Sequence, residues 1–198
     1  MASLTGERQQ SKKISGIKLD HIARYSYASK LIKRGDVVLD ALCGVGYGSW
    51  LMSFCGPSHI VAFDQNSEAI QYAKKYYPSK VTEYICMDYL EADFEPETFD
   101  KIVCFEAIEH INEPERLLSM FYPWLKVGGT LILSTPNEEV MPYSSTKFPF
   151  HKRHFTKTEI ESMVKSAGFS IKSTLYQQRR SMQIDNNVGH FIIIEATK

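Results

Sequence analysis

Short apolar runs alternate along this chain with segments whose apolar residues recur every three or four positions, the rhythm of strands and helices taken in turn. The predicted strands fall at 36–40, 59–64, 81–86, 99–105 and 130–135, with two more at 169–176 and 190–196. Runs such as Ile60-Val61-Ala62-Phe63 and Ile102-Val103-Cys104-Phe105 are apolar on both faces, as in a parallel sheet covered by helices on both sides. Ile22, Tyr25, Ala28 and Ile32 share one face of a helix over 17–33, and Trp50, Leu51 and Phe54 mark the next. Asn66 or Ser67 caps a helix at 68–77 that stops at Pro78. Asn112 caps another, with Pro114 in its first turn and Leu117, Leu118 and Phe121 turned inward. Thr156 and Glu159 form a capping box for a helix that Gly168 ends. Residues 1–16, rich in Ser, Gln and Lys, predict a flexible lead into one domain over 17–198. The acidic stretch 91–98 predicts a solvated loop, and 177–189, with Arg179-Arg180, a long polar connection.

Composition narrows the class. With 198 residues there is room for one α/β domain, and 43% hydrophobic content is that of a globular protein. The 23 basic and 23 acidic residues cancel, which removes the global field that nucleic acid or an anionic membrane would need. No apolar run approaches the ~20 residues of a membrane span, and the polar N-terminal stretch has no signal-peptide core. Cys43, Cys55, Cys86 and Cys104 are not at disulfide-framework spacings; buried free thiols and a reducing, cytoplasmic setting are expected.

The chemistry concentrates at Asp40-Ala41-Leu42-Cys43-Gly44-Val45-Gly46-Tyr47-Gly48. A strand ending in a carboxylate, a glycine turn and a helix make a nucleotide-type α/β site. A dinucleotide fingerprint, G-x-G-x-x-G, would seat a pyrophosphate on the helix N-terminus. Here Ser49 stands in place of its last glycine, and Asp40 would repel a pyrophosphate. The acid suits a ligand that carries an ammonium group and no phosphate, and S-adenosylmethionine is such a ligand. A second acid, Asp64, ends the next strand, where a carboxylate accepts both hydroxyls of a ribose.

At these residues the chain resembles the class I S-adenosylmethionine-dependent methyltransferases, whose first motif has Gly or Ala where Leu42 stands. The resemblance continues through Met87-Asp88-Tyr89 and over 99–137, with a weaker extension to Gly168. It implies a Rossmann-like, doubly wound, seven-stranded sheet, mostly parallel with the last strand antiparallel, and helices on both faces. It also implies a cofactor site of Tyr25, Asp40, Ala41, Gly44, Gly46, Asp64, Gln65, Asp88, Tyr89 and Phe105, with Asp88 accepting from the adenine amino group. Thr5-Gly6-Glu7-Arg8, His21 and Arg24-Tyr25 resemble the N-terminal region of a subset of small bacterial methyltransferases. There an N-terminal helix covers the cofactor, which would bring Arg24 and Tyr25 to the methionine carboxylate.

On the acceptor side, Glu106, Glu109 and His110 would share one face of a helical turn. Two carboxylates and an imidazole can bind a divalent cation. The segment resembles the Glu-x-x-Glu-His motif, with a later His, of the small-RNA 3′-terminal 2′-O-methyltransferases. The benzenediol O-methyltransferases of ubiquinone synthesis have a similar one. By position that resemblance makes Glu106, Glu109, His110 and His151 the cation ligands. Without a cation, Glu106, His110 and His154 are the expected catalytic residues, a histidine serving as base to a hydroxyl. The resulting expectation is an enzyme that moves a methyl group from S-adenosylmethionine to an oxygen of a small molecule such as a sugar, a phenol or a natural-product intermediate. Its rivals are a metal-dependent RNA 3′-terminal 2′-O-methyltransferase, a nicotinamide-dependent oxidoreductase and a non-catalytic S-adenosylmethionine-binding protein.

Overall fold

A computed structural model describes residues 9–179, the backbone of 181–184, and residues 189–198. The chain divides into two compact units, the first ending at Asp93 and the second beginning at Phe94.

The first unit holds three parallel strands, β1 (Val37–Ala41), β2 (His59–Asp64) and β3 (Thr82–Cys86), in the order β3-β2-β1. Val38, Leu39, Ile60, Ala62 and Phe63 are fully buried, as strands covered on both faces require. Helix α1 (Leu19–Leu31) precedes β1 and buries Arg24, Tyr25 and Ala28. The crossovers are α2 (Tyr47–Ser53) and α3 (Ser67–Tyr76). Asn66 is the cap of α3, its side chain accepting from the Ala69 N–H at 2.9 Å. Of the stretch 1–16, read as a flexible lead, residues 9–16 are described and make local contacts. Ile14–Gly16 makes a 3-10 turn, and the Tyr77 hydroxyl donates to the Ser11 carbonyl at 2.6 Å. Polar composition did not reveal this anchor because it runs through a main-chain carbonyl. Thr5-Gly6-Glu7-Arg8 lies outside the described residues.

The second unit comprises β4 (Phe99–Phe105), α4 (Pro114–Trp124), β5 (Leu125–Pro136), α5 (Lys157–Ser166), β6 (Ser170–Gln178), β7 (Ser181–Ile184) and β8 (Phe191–Thr197). Its strand order is β4-β5-β8-β6-β7. β4 and β5 are parallel, and β8 runs antiparallel to both β5 and β6. The last strand is therefore antiparallel, as expected. Eight strands are seen among the described residues where seven were expected. The extra one, β7, pairs with β6 inside the stretch read as a polar connection, because backbone pairing at an edge needs no apolar side chains. α4 starts with Pro114 at its first position, so Glu113 stands at the cap and Asn112 does not. The Thr156–Glu159 capping box forms as read. Cys43 and Cys104 are buried, whereas Cys55 is half-buried and Cys86 exposed, so only two thiols meet the expectation. Among the described residues no helix is long and apolar enough to cross a membrane.

Candidate functional site

In the first unit, β1 passes into α2 through a turn in which Leu42 (φ 57°), Gly44 (φ 57°) and Gly46 (φ 81°) all adopt left-handed backbone. Gly46 is closed in: a Cβ there would lie 2.8 Å from the Tyr84 ring. Gly44 is open: among the described residues, its own chain neighbours aside, no heavy atom lies within 4 Å of the place its Cβ would take, so a ligand can approach the backbone closely. Leu42 adopts the same φ with a side chain, at a cost of about 1–2 kcal/mol. The turn is pinned to the tip of β2. The Cys43 N–H donates to the Phe63 carbonyl at 2.8 Å, and the Gly44 N–H to Asp64 Oδ2 at 3.0 Å. Asp64 Oδ1 accepts from the Asn66 N–H at 2.9 Å. Both carboxylate oxygens thus accept from main-chain N–H groups, which orients Asp64 at the tip of β2.

Asp40 is completely buried. Ser49 donates its hydroxyl to Oδ2, and the Tyr25 hydroxyl reaches Oδ1 at 3.4 Å. Burial pushes the carboxyl from its ordinary 3.8 up to about 7; the Ser49 and Tyr25 bonds pull the other way and the Asp64 charge adds to the rise. Ser49 was legible in the sequence only as a missing glycine; its hydroxyl, in the first turn of α2, is the partner of Asp40, the last residue but one of β1. Tyr25 lies flat against this turn, and a Cβ at Gly48 would fall on its ring. His21 Nδ1 sits 2.8 Å from the Tyr47 hydroxyl, and burial together with Arg24 pushes its pKa down to about 4. Arg24 and Ala41 are each 1% exposed, and Gln65 is exposed. Asp88 caps the short turn Tyr89–Glu91, accepting from the Leu90 N–H at 2.9 Å. In the second unit Phe105, 6% exposed, closes β4.

The second unit gathers the acceptor-side residues, with one exception. Glu106 has left-handed backbone (φ 50°), and the 3-10 turn Ile108–His110 begins only after it. The Ser134 hydroxyl donates to Glu106 Oε1 at 2.7 Å, which ties this acid to β5. The helical spacing that placed Glu106 beside Glu109 and His110 is thus broken by its own backbone. Glu109, His110 and His151 do converge: one donor atom from each lies within 4.8 Å of the others. Glu109 is fully buried, with the Thr135 hydroxyl donating to it at 3.4 Å, and the Lys152 N–H donates to its carbonyl at 2.7 Å. His110 Nδ1 lies 3.0 Å from the Phe150 carbonyl oxygen. His151 Nδ1 lies 2.7 Å from His154 Nε2, and His154 Nδ1 lies 2.6 Å from the Met141 carbonyl oxygen. His154, expected as a catalytic base, is buried with both ring nitrogens engaged by the protein. Burial and the neighbouring His110 and His154 push the His151 pKa down to about 3, so that ring is neutral near pH 7. Two imidazoles and a carboxylate are a donor set that suits a divalent transition cation and leaves positions open to a substrate.

Comparison with known proteins places the chain in a family. The family described as "Methyltransferase domain" matches residues 10–174. The chain is 37% identical to sterol 24-C-methyltransferase ERG6 of Saccharomyces cerevisiae over 103 residues, 50% of this chain and 27% of that one. It is 29% identical to phosphoethanolamine N-methyltransferase 1 of Triticum aestivum over 147 residues, 70% of this chain and 29% of that one. It therefore spans less than a third of the length of these two relatives. Among solved structures, an S-adenosylmethionine-dependent methyltransferase from Mesorhizobium loti shares the fold with a TM-score of 0.76 and 16% identity, over 91% of this chain and 100% of that one. The glycine turn with its two strand-end acids, the Rossmann-like sheet and a family match over most of the length lead to one conclusion: the chain belongs to the class I S-adenosylmethionine-dependent methyltransferases.

Proposed function

We propose that the chain transfers the methyl group of S-adenosylmethionine to an oxygen of a small-molecule acceptor, and that Glu109, His110 and His151 hold a divalent cation for that acceptor. The convergence of those three donors supports the reading. A hydroxyl must lose its proton to accept a methyl group. A histidine whose pKa lies near 3 is a weak base at pH 7, because a useful general base has a pKa close to the working pH. A cation held there would supply what the ring lacks by lowering the pKa of a coordinated hydroxyl, so that its proton passes to solvent water before the methyl group arrives. On the cofactor side, ionised Asp40 takes the ammonium group, Gly44 lets the ligand approach the backbone, Asp64 accepts from the ribose and Asp88 from the adenine. The sulfonium is already activated, so alignment of acceptor, methyl and sulfur at ~3 Å contributes most of the rate.

The relatives named above act, by their names, at carbon and at nitrogen, and neither centre has a hydroxyl proton to remove. The test is calorimetric titration with S-adenosylhomocysteine, followed by assay of a panel of phenols, sugars and amines with added Mn²⁺ or with chelator. Micromolar binding near 1:1 and chelator-sensitive methylation of a hydroxyl are expected. Methylation only of amines, undiminished by chelator, would refute the oxygen and cation assignments together. The same donors suit an RNA 3′-terminal diol, which steep salt dependence of RNA binding would bring forward.

A further inference from the structure

We infer that His154 is a positioning residue: through the Met141 carbonyl it fixes the tautomer of His151, so that Nε2 of His151 carries the lone pair. A carbonyl oxygen only accepts, so the His154 nitrogen that lies 2.6 Å from it, Nδ1, bears the hydrogen. In the neutral ring Nε2 is then an acceptor. His151 Nδ1, 2.7 Å away, has to donate to it, because two lone pairs do not face each other at that distance. The hydrogen of His151 is thereby placed on Nδ1 and its lone pair on Nε2. His110 reaches the same tautomer by a shorter route, since its Nδ1 faces the Phe150 carbonyl directly at 3.0 Å. Both rings that converge with Glu109 thus have their proton placed by a main-chain carbonyl, one directly and one through a second imidazole.

The start of this relay is held firmly. The Met141 N–H donates to the Asn137 carbonyl at 2.7 Å. Asn137 is fully buried; its side chain donates to the Gly189 carbonyl at 3.0 Å and accepts from the Glu139 N–H at 3.1 Å. Phe148 stacks on His151 and meets the edge of His154, with ring centroids 5.3 and 4.5 Å apart. A neutral imidazole without such a partner favours the hydrogen on Nε2, the nitrogen a ligand would need bare. A second imidazole that prevents this is an outer partner of the kind that orients metal-binding histidines.

The use of that lone pair for a cation rests on the function proposed above, whereas the tautomer does not. The experiment is long-range ¹H–¹⁵N correlation of the ring nitrogens in the whole, ¹⁵N-histidine-labelled chain without cation, followed by calorimetric titration with Co²⁺ alone. Expected for the native chain are a protonated Nδ1 and a bare Nε2 on His151. His154→Leu moves the hydrogen to Nε2 and weakens Co²⁺ binding ten- to a hundred-fold. His154→Gln, whose amide oxygen can accept where Nε2 did, restores the native tautomer and most of the affinity. A native spectrum with the His151 hydrogen on Nε2 overturns the inference, with or without a soluble Leu variant. So does a native His154 protonated on both nitrogens. The expected tautomer without Co²⁺ binding would uphold the role of His154 and refute the cation reading of the site.

Discussion

Replacing Asp40 with Asn isolates the effect of sealing an acid beneath Tyr25 and Ser49. The carboxyl has an ordinary pKa of 3.8 and about 7 in the fold. Between those values the folded chain keeps a proton that the unfolded chain has lost. The stabilising contribution is therefore fully present below about pH 4 and is lost as pH rises through about 7. Roughly three pH units at ~1.4 kcal/mol each amount to about 4 kcal/mol. The side chain is completely buried, so solvent screening does not reduce the figure further. Asparagine does not titrate, yet its amide oxygen can still accept from Ser49. Urea unfolding of both proteins from pH 4 to pH 8.5 gives a difference curve in which titrations elsewhere cancel. The stability of the native chain relative to the variant should fall steadily from pH 4 to 7 and then level off. A difference that does not change with pH would refute the buried-acid reasoning. Adding S-adenosylhomocysteine brings in the other half: an ammonium partner favours the ionised acid, so affinity for the native chain should rise as pH approaches 7 and that of the variant should not.

The remaining expectations concern single contacts. Gly48→Ala should destabilise the chain by about 1–3 kcal/mol through collision with the Tyr25 ring, and most of that loss should vanish in a Tyr25→Ala background; equal losses in both backgrounds would disprove the contact. Asp64→Ala should weaken S-adenosylhomocysteine binding by about 1–3 kcal/mol in calorimetry, by leaving the ribose hydroxyls unpaired. Glu109→Gln should abolish Co²⁺ binding, whereas Glu106→Gln, outside the convergent set, should leave it within a few-fold of native; the reverse order would restore Glu106 as a ligand.

Much of the cofactor side was readable in the sequence because strand ends are fixed by hydrophobic pattern. Once 37–41 and 59–64 are strands, Asp40 must stand one residue before the end of the first and Asp64 at the end of the second. The burial of Asp40 was not readable, since it depends on Tyr25 and Ser49 arriving from α1 and α2. The acceptor side was half readable. Residue types named Glu109, His110 and His151, but helical spacing failed at Glu106, where the backbone turns left-handed. The part played by His154 was hidden because it depends on the Met141 main-chain carbonyl, which no residue pattern marks. Similarly, β7 escaped because its apolar alternation amounts to Met182 and Ile184 alone, within an otherwise polar stretch.

The position of β8 between β5 and β6 governs the order in which the second unit can assemble. β5 ends at Pro136 and β8 begins at Phe191, 55 residues later, and among the described residues β6 joins β5 only through β8. Closing a loop of that length costs on the order of 3–4 kcal/mol in chain entropy before any strand bond is gained. Formation of β4 with β5, and of β6 with β7, can run ahead as local events, but the sheet is not continuous until residues 191–197 are in place. During synthesis on the ribosome, β5 therefore waits with an apolar, unpaired edge for the whole of the intervening stretch. A nascent chain stalled before 191 should be the species most prone to aggregate and most in need of a chaperone.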